Sequence, residues 1–149
     1  MEIPSITPPV VTGYKPLFES AVSLDRLVLV SGRLAKVDGQ VLAGRVGAEI
    51  TVEQASESAR GVALELLGAL RDAAGGLEHV ATLGRLFVMV RCADNFSSPH
   101  VVANAISETL RSVLGDRGHH ARTAVGVAQL PFGACVEAEL SASLHPTSP

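Results

Sequence analysis

Residues 118–140 read "GHHARTAVGVAQLPFGACVEAEL". Arg122 opens a stretch that is otherwise small and apolar, and burial is what stabilises a strand of that composition. A guanidinium at its entrance therefore either faces solvent or has an anionic partner, such as Glu137 or Glu139 further along. From residue 135 onward side chains alternate. Val136, Ala138, Leu140, Ala142 and Leu144 share one face, and Cys135, Glu137, Glu139, Ser141 and Ser143 share the other. If "TAVGVAQL" and "ACVEAELSASL" formed a simple hairpin about Pro131-Phe132, Arg122 would face a position near 142, about 17 Å from Glu137. Either the connection is not a tight hairpin, or the two residues meet across subunits.

Upstream, "SAVSLDRLVLVSGRL" (20–34) carries a β-branched run at 27–30 closed by Ser31-Gly32 and reads as one or two strands. "KVDGQVLAGRVGAEI" (36–50) reads as an Asp38-Gly39 turn and an exposed loop. No Lys-Ser/Thr follows its glycines, so it does not read as a phosphate loop. Thr51 and Gln54 form a capping box for a helix with apolar residues at 52, 55, 59, 62, 66, 69 and 73, stopped by Gly75-Gly76. "HVATLGRLFVMVRC" (79–92) is a long strand. "SSPHVVANAISETLRSVLG" is a second helix, with Ser98 as N-cap, Pro99 at its first position and Gly115 beyond its end. The order β-β-α-β-α-β-β predicts an α+β fold with a mixed sheet and two helices on one face. Residues 17–144 are expected to form a single domain, between an irregular proline-rich segment at 1–16 and a tail at 145–149.

Composition narrows function. The 149 residues are 47% hydrophobic, with no apolar run near the roughly 18 residues needed to span a bilayer. A protein that does not span a membrane is expected, and the lack of a basic segment followed by an apolar one points to the cytoplasm. A net charge of -3, one Tyr and no Trp disfavour nucleic acid as a partner. Cys92 and Cys135 fit no zinc-ligand or disulfide pattern. His119 and His120 would point to opposite sides of extended chain with no evident third ligand, so no metal is expected, and no cofactor. Arg111, Arg117, His119, His120 and Arg122 make this end of an acidic chain positive, which suits a small carboxylate better than a polyanion.

The segments "LVLVSGRL", "GRVGAEITVEQASESARGVALELLGALRDAAGGLEHV", "FSSPHVVANAISETL" and "GHHARTAVGVAQLPFGACVEAEL" resemble the Rid/YjgF family of reactive intermediate deaminases, in particular a longer subgroup. The resemblance covers about Phe18 to Leu144, and the order and spacing of its arginine, Leu-Pro and Val-Glu-x-Glu elements make the ending specific. It implies a chorismate-mutase-like (RidA-like) fold and a homotrimer with clefts between subunits. It also implies hydrolysis of 2-imino acids, formed from enamines such as 2-aminoacrylate, to 2-keto acids and ammonia. By the same resemblance Arg122 binds the substrate carboxylate and Glu137 holds the water. Ser31 and Gly32 lie beside the cleft, and Asn104 reaches it from the second helix. Phe18 stands where the family usually has a tyrosine, and Ala124 where some relatives have a reactive cysteine. With Cys135 these complete the residues expected to line the cleft. The alternatives are a Rid-fold enzyme diverged to another reaction on an imine, carbonyl or amide, and a non-catalytic trimeric binder of small carboxylates. Ribonuclease activity is attributed to some relatives, but no aromatic or extended basic track accompanies the histidines here.

Overall fold

The computed structural model describes residues 14–148, so most of the segment read as irregular, together with Pro149, lies outside the described residues. The run at 20–34 forms two strands, β1 (Ala21–Leu24) and β2 (Leu27–Leu34), joined at Asp25, whose φ of 57° makes the turn tight. Strands β3 (Lys36–Val37) and β4 (Gln40–Val41) flank the Asp38-Gly39 turn, with both turn residues at positive φ. Beyond it the chain is not the exposed loop expected. Val46 and Ile50 are buried, and Val46 exchanges backbone hydrogen bonds with Arg91 and Ala93. These apolar positions tether the segment to the core.

Helix α1 (Val52–Ala74) begins at the expected capping box. Thr51 Oγ1 accepts from the Gln54 amide at 3.1 Å, and Gln54 Oε1 accepts from the Thr51 amide at 2.9 Å. Gly75, at φ 75°, ends it. Its buried stripe includes Ala55, Ala59, Val62, Leu66 and Ala69, while Ala73 is exposed where the helix leaves the sheet. Strand β5 (Val80–Arg91) follows. Helix α2 (Pro99–Leu114) has Ser98 at its N-cap position, without a side-chain capping bond. A short helical turn at Gly115–Gly118 leads into β6 (Ala121–Val127), and another at Pro131–Gly133 leads into β7 (Val136–Leu144).

The five long strands form one mixed sheet in the order β1-β2-β7-β5-β6, with β5 and β6 parallel and the other pairs antiparallel. The last two strands are therefore not a hairpin, because β5 lies between them. Both helices pack on one face, over Val28, Val30, Leu86, Val88, Val90, Val136, Ala138, Leu140 and Ala142. Alternation in β7 starts at Val136 rather than at Cys135. No helix among the described residues is long and apolar enough to cross a membrane.

Candidate functional site

Arg122 sits near the start of edge strand β6, level with Leu86 of β5, which is level with Leu140 of β7. Partners in register point to the same side of a sheet. Leu86 and Leu140 face the helices, so Arg122 emerges on the helix side, beyond the edge of the core. There its Nη1 donates to Asn104 Oδ1 at 3.0 Å and to Ser107 Oγ at 3.1 Å. Both acceptors are neutral and sit one turn apart on α2. The guanidinium is thus held in place without its charge being cancelled, and among the described residues Arg122 forms no ion pair. Nε and Nη2, the edge that matches a carboxylate, have no protein acceptor there. Arg122 lines an open cavity of about 400 Å³ together with Asn104, Ser107, Glu108, Arg111, His119 and His120.

Ser107 and His120 are site residues that the sequence reading did not single out as a pair. His120 Nδ1 donates to the Gly118 carbonyl at 2.7 Å, which leaves Nε2 to accept from Ser107 Oγ at 2.9 Å. A signal was present, because 104, 107, 108 and 111 are polar positions at helical spacing on one side of α2.

Glu137 lies elsewhere. It is level with Leu34 of β2 and Met89 of β5, on the face away from the helices. Three residues of strand rise and two strand spacings put its backbone about 14 Å from that of Arg122, on the opposite side of the sheet. Burial, helped by the neighbouring charge of Glu139, pushes its carboxyl above the usual carboxylate range. Gly32 lies against it. A Cβ there would come within 2.3 Å of Glu137 Oε1, so glycine is what leaves room for the carboxylate. The irregularity between Val30 and Arg33 in the β2–β7 register brings Ser31-Gly32 to this place. Ser31 in turn pins the incoming chain, its Oγ donating to the Glu19 carbonyl at 2.6 Å and its amide to the Ser20 carbonyl at 3.0 Å. That places exposed Phe18 one residue before the pinned Glu19.

The expected site residues fall into two groups. Phe18, Ser31, Gly32 and Glu137 belong to the β2–β7 side; Asn104 and Arg122 belong to the β6–α2 edge. Ala124, on the Arg122 side of β6 and level with Val88, packs against the core. Cys135 is wholly buried. Its amide donates to the Leu42 carbonyl, and its thiol lies 3.9 Å from Ser58 Oγ of α1. Burial raises that thiol's pKa. The structure thus sets Cys135 in the core beneath α1, not on the face of Glu137 where alternation had put it, because the chain is still turning out of the Pro131–Gly133 segment at that residue.

No family model matches the chain. It is 42% identical over 118 residues to Protein TCP17 of Trypanosoma cruzi, an alignment spanning 78% of this chain and 74% of that one. The fold matches that of E. coli TdcF. TdcF, solved with bound serine, superimposes with a TM-score of 0.58 at 20% identity, covering 95% of this chain and 99% of that one. The chain belongs to the Rid/YjgF family. Its α+β architecture is the chorismate-mutase-like one of that family. Atu1372 of Agrobacterium tumefaciens, whose function is unknown, has the same fold with a TM-score of 0.83 and 31% identity, covering 87% of this chain and 82% of that one.

Proposed function

We propose that the protein is an enamine/imine deaminase that hydrolyses small 2-imino acids to 2-keto acids and ammonia. The observation that carries this reading is the guanidinium of Arg122, fixed through Nη1 by two neutral oxygens, without a protein acceptor on its Nε/Nη2 edge among the described residues, in the lining of an open cavity. That edge gives two parallel charge-assisted hydrogen bonds to a carboxylate and fixes its plane. Water then attacks the imine carbon while a carboxylate accepts its proton, and ammonia leaves. Glu137 suits the second role, because a carboxyl with a raised pKa is a better proton acceptor than an ordinary one once ionised.

Arg122 and Glu137 do not meet within one chain, so the reading requires a second copy to supply the missing half. A homotrimer with three shared clefts meets that requirement. Further support comes from the face of the sheet opposite the helices, where Val22, Leu24, Leu27 and Leu29 are all 43% or more exposed. The serine bound in TdcF supports an amino-acid-like ligand. A second reading, a carboxylate binder without turnover, is favoured by Phe18, which brings no hydroxyl to the side that holds Glu137.

The deciding experiment generates 2-iminopropionate in situ and measures ammonia and pyruvate release with and without the protein. Accelerated release of both establishes the deaminase; carboxylate binding without acceleration establishes the binder. Light scattering tests the shared cleft, and a monomer at micromolar concentration removes it.

A further inference from the structure

We propose that Ser107 and His120 are a nucleophile and its general base, giving the cavity a second activity: hydrolysis of small esters or thioesters that carry a carboxylate. Three features support the pair. Ser107 Oγ donates to His120 Nε2 at 2.9 Å, and the Gly118 carbonyl, accepting from His120 Nδ1 at 2.7 Å, sets both the tautomer and the plane of the ring. Nucleophile, base and orienting acceptor are the parts that acyl-transfer chemistry needs. Arg122 Nη1, 3.1 Å from Ser107 Oγ, favours the oxygen as its proton departs. Asn104 accepts from Arg122 through Oδ1, so its amide hydrogens, one helical turn from Ser107, are free to stabilise a developing oxyanion.

The close approach of the 115–118 turn to α2 holds this arrangement. A Cβ on Gly118 would lie 2.8 Å from the Leu110 carbonyl oxygen and 2.9 Å from Arg111 Cα, and those are backbone atoms that cannot step aside. Gly118 therefore lets the turn lie on the helix and brings His120 over Ser107. The cavity favours anions, because the guanidinium groups of Arg111 and Arg122 line it against one carboxylate, Glu108.

The chemistry balances with water alone. Ser107 Oγ bonds to the carbonyl carbon as its proton passes to His120 Nε2. The tetrahedral intermediate collapses, the C–O or C–S bond breaks, and the alcohol or thiol leaves with that proton. Water, deprotonated by the same nitrogen, then cleaves the acyl-serine to a carboxylic acid and restores the hydroxyl.

The test uses the full chain and a fluorophosphonate, which joins serine oxygen to phosphorus with loss of fluoride, read by intact mass and peptide mapping. A single adduct on the Ser107 peptide is expected, absent in Ser107→Ala and formed about 10²-fold more slowly in His120→Gln. Ser112→Ala, on the same helix, should label like the unaltered chain. A 4-nitrophenyl hydrogen succinate burst of one nitrophenolate per chain, faster than with neutral 4-nitrophenyl acetate, is expected alongside. The proposal is overturned by no adduct, by an adduct that survives Ser107→Ala, or by unchanged labelling in His120→Gln. Equal rates with the two esters overturn the anionic preference. No imino acid enters these measurements, so their outcome is independent of whether the protein deaminates one.

Discussion

The edge around Arg122 and the patch around Glu137 are built on opposite principles. At the edge, a cation stands in the open and is oriented by an amide and a hydroxyl, so its charge remains available to a ligand. At the patch, a carboxyl is half withdrawn from water beside a second carboxylate, and backbone space rather than a counter-ion accommodates it. In the proposed reaction the first region binds the substrate anion and the second holds the proton acceptor, whose pKa burial raises. Neither contains what the other supplies. A single sheet of this topology cannot join them, which is why the proposed reaction is assigned to a cleft between copies.

The comparison breaks most visibly if the patch is made inert. Glu137→Gln should lower turnover of 2-iminopropionate by about 10² to 10⁴, the usual worth of a positioned general base, while carboxylate binding measured by calorimetry is retained. Unchanged turnover would make Glu137 structural. The same variant tests the raised pKa thermodynamically. The folded chain holds the Glu137 proton to higher pH than the unfolded chain does. Stability from this group is therefore full below the ordinary carboxylate range and declines as pH rises through the folded pKa. Gln has no such charge to desolvate, so the Tm of Glu137→Gln relative to the unaltered protein should be higher at pH 7 than at pH 4. A Tm difference that does not change with pH would contradict the shift.

At the opposite region, Arg122→Lys keeps the charge and loses the planar fork. Loss of charge-assisted bonds worth about 1.5 to 3 kcal/mol predicts a fall of about 10²-fold in kcat/KM with the fold intact by circular dichroism. If lysine serves as well, carboxylate recognition lies elsewhere.

Gly32→Ala sharpens the contrast without replacing either charged group. The added methyl meets the flexible end of Glu137 and not backbone, so the carboxylate should move while Tm changes little. Displacement of a catalytic group predicts a roughly tenfold loss of kcat, below the 10²-fold that a 1 Å misplacement can reach. A large fall in Tm with kcat preserved would mean that the close contact serves folding alone.

The smallest effect is expected at Phe18, the residue preceding the segment that Ser31 pins. One restored hydroxyl bond is worth about 0.5 to 1.5 kcal/mol, so Phe18→Tyr should raise kcat/KM for 2-iminopropionate roughly threefold to tenfold. The unaltered protein should prefer imino acids derived from Leu or Met, which suit a more apolar mouth. Equal substrate ratios in the two proteins would show that position 18 does not set specificity.

By itself the sequence determined the long strands, the two helices on one face and the family, because capping, periodicity and the Leu-Pro ending are local patterns carried by neighbours in the chain. Thr51 and Gln54 meet within one helical turn, and Val136 to Ala142 alternate because strand geometry leaves no other option. It also picked out Arg122 and Glu137 as chemically notable. Tertiary structure alone decided that β5 stands between their strands, that they point to opposite faces, and that Cys135 turns inward to Ser58. It also decided that His120 reaches Ser107 across the Gly118 turn. Each of these depends on strand pairing or close backbone approach between residues far apart in the chain, and the free energy that selects them comes from burying the whole core at once.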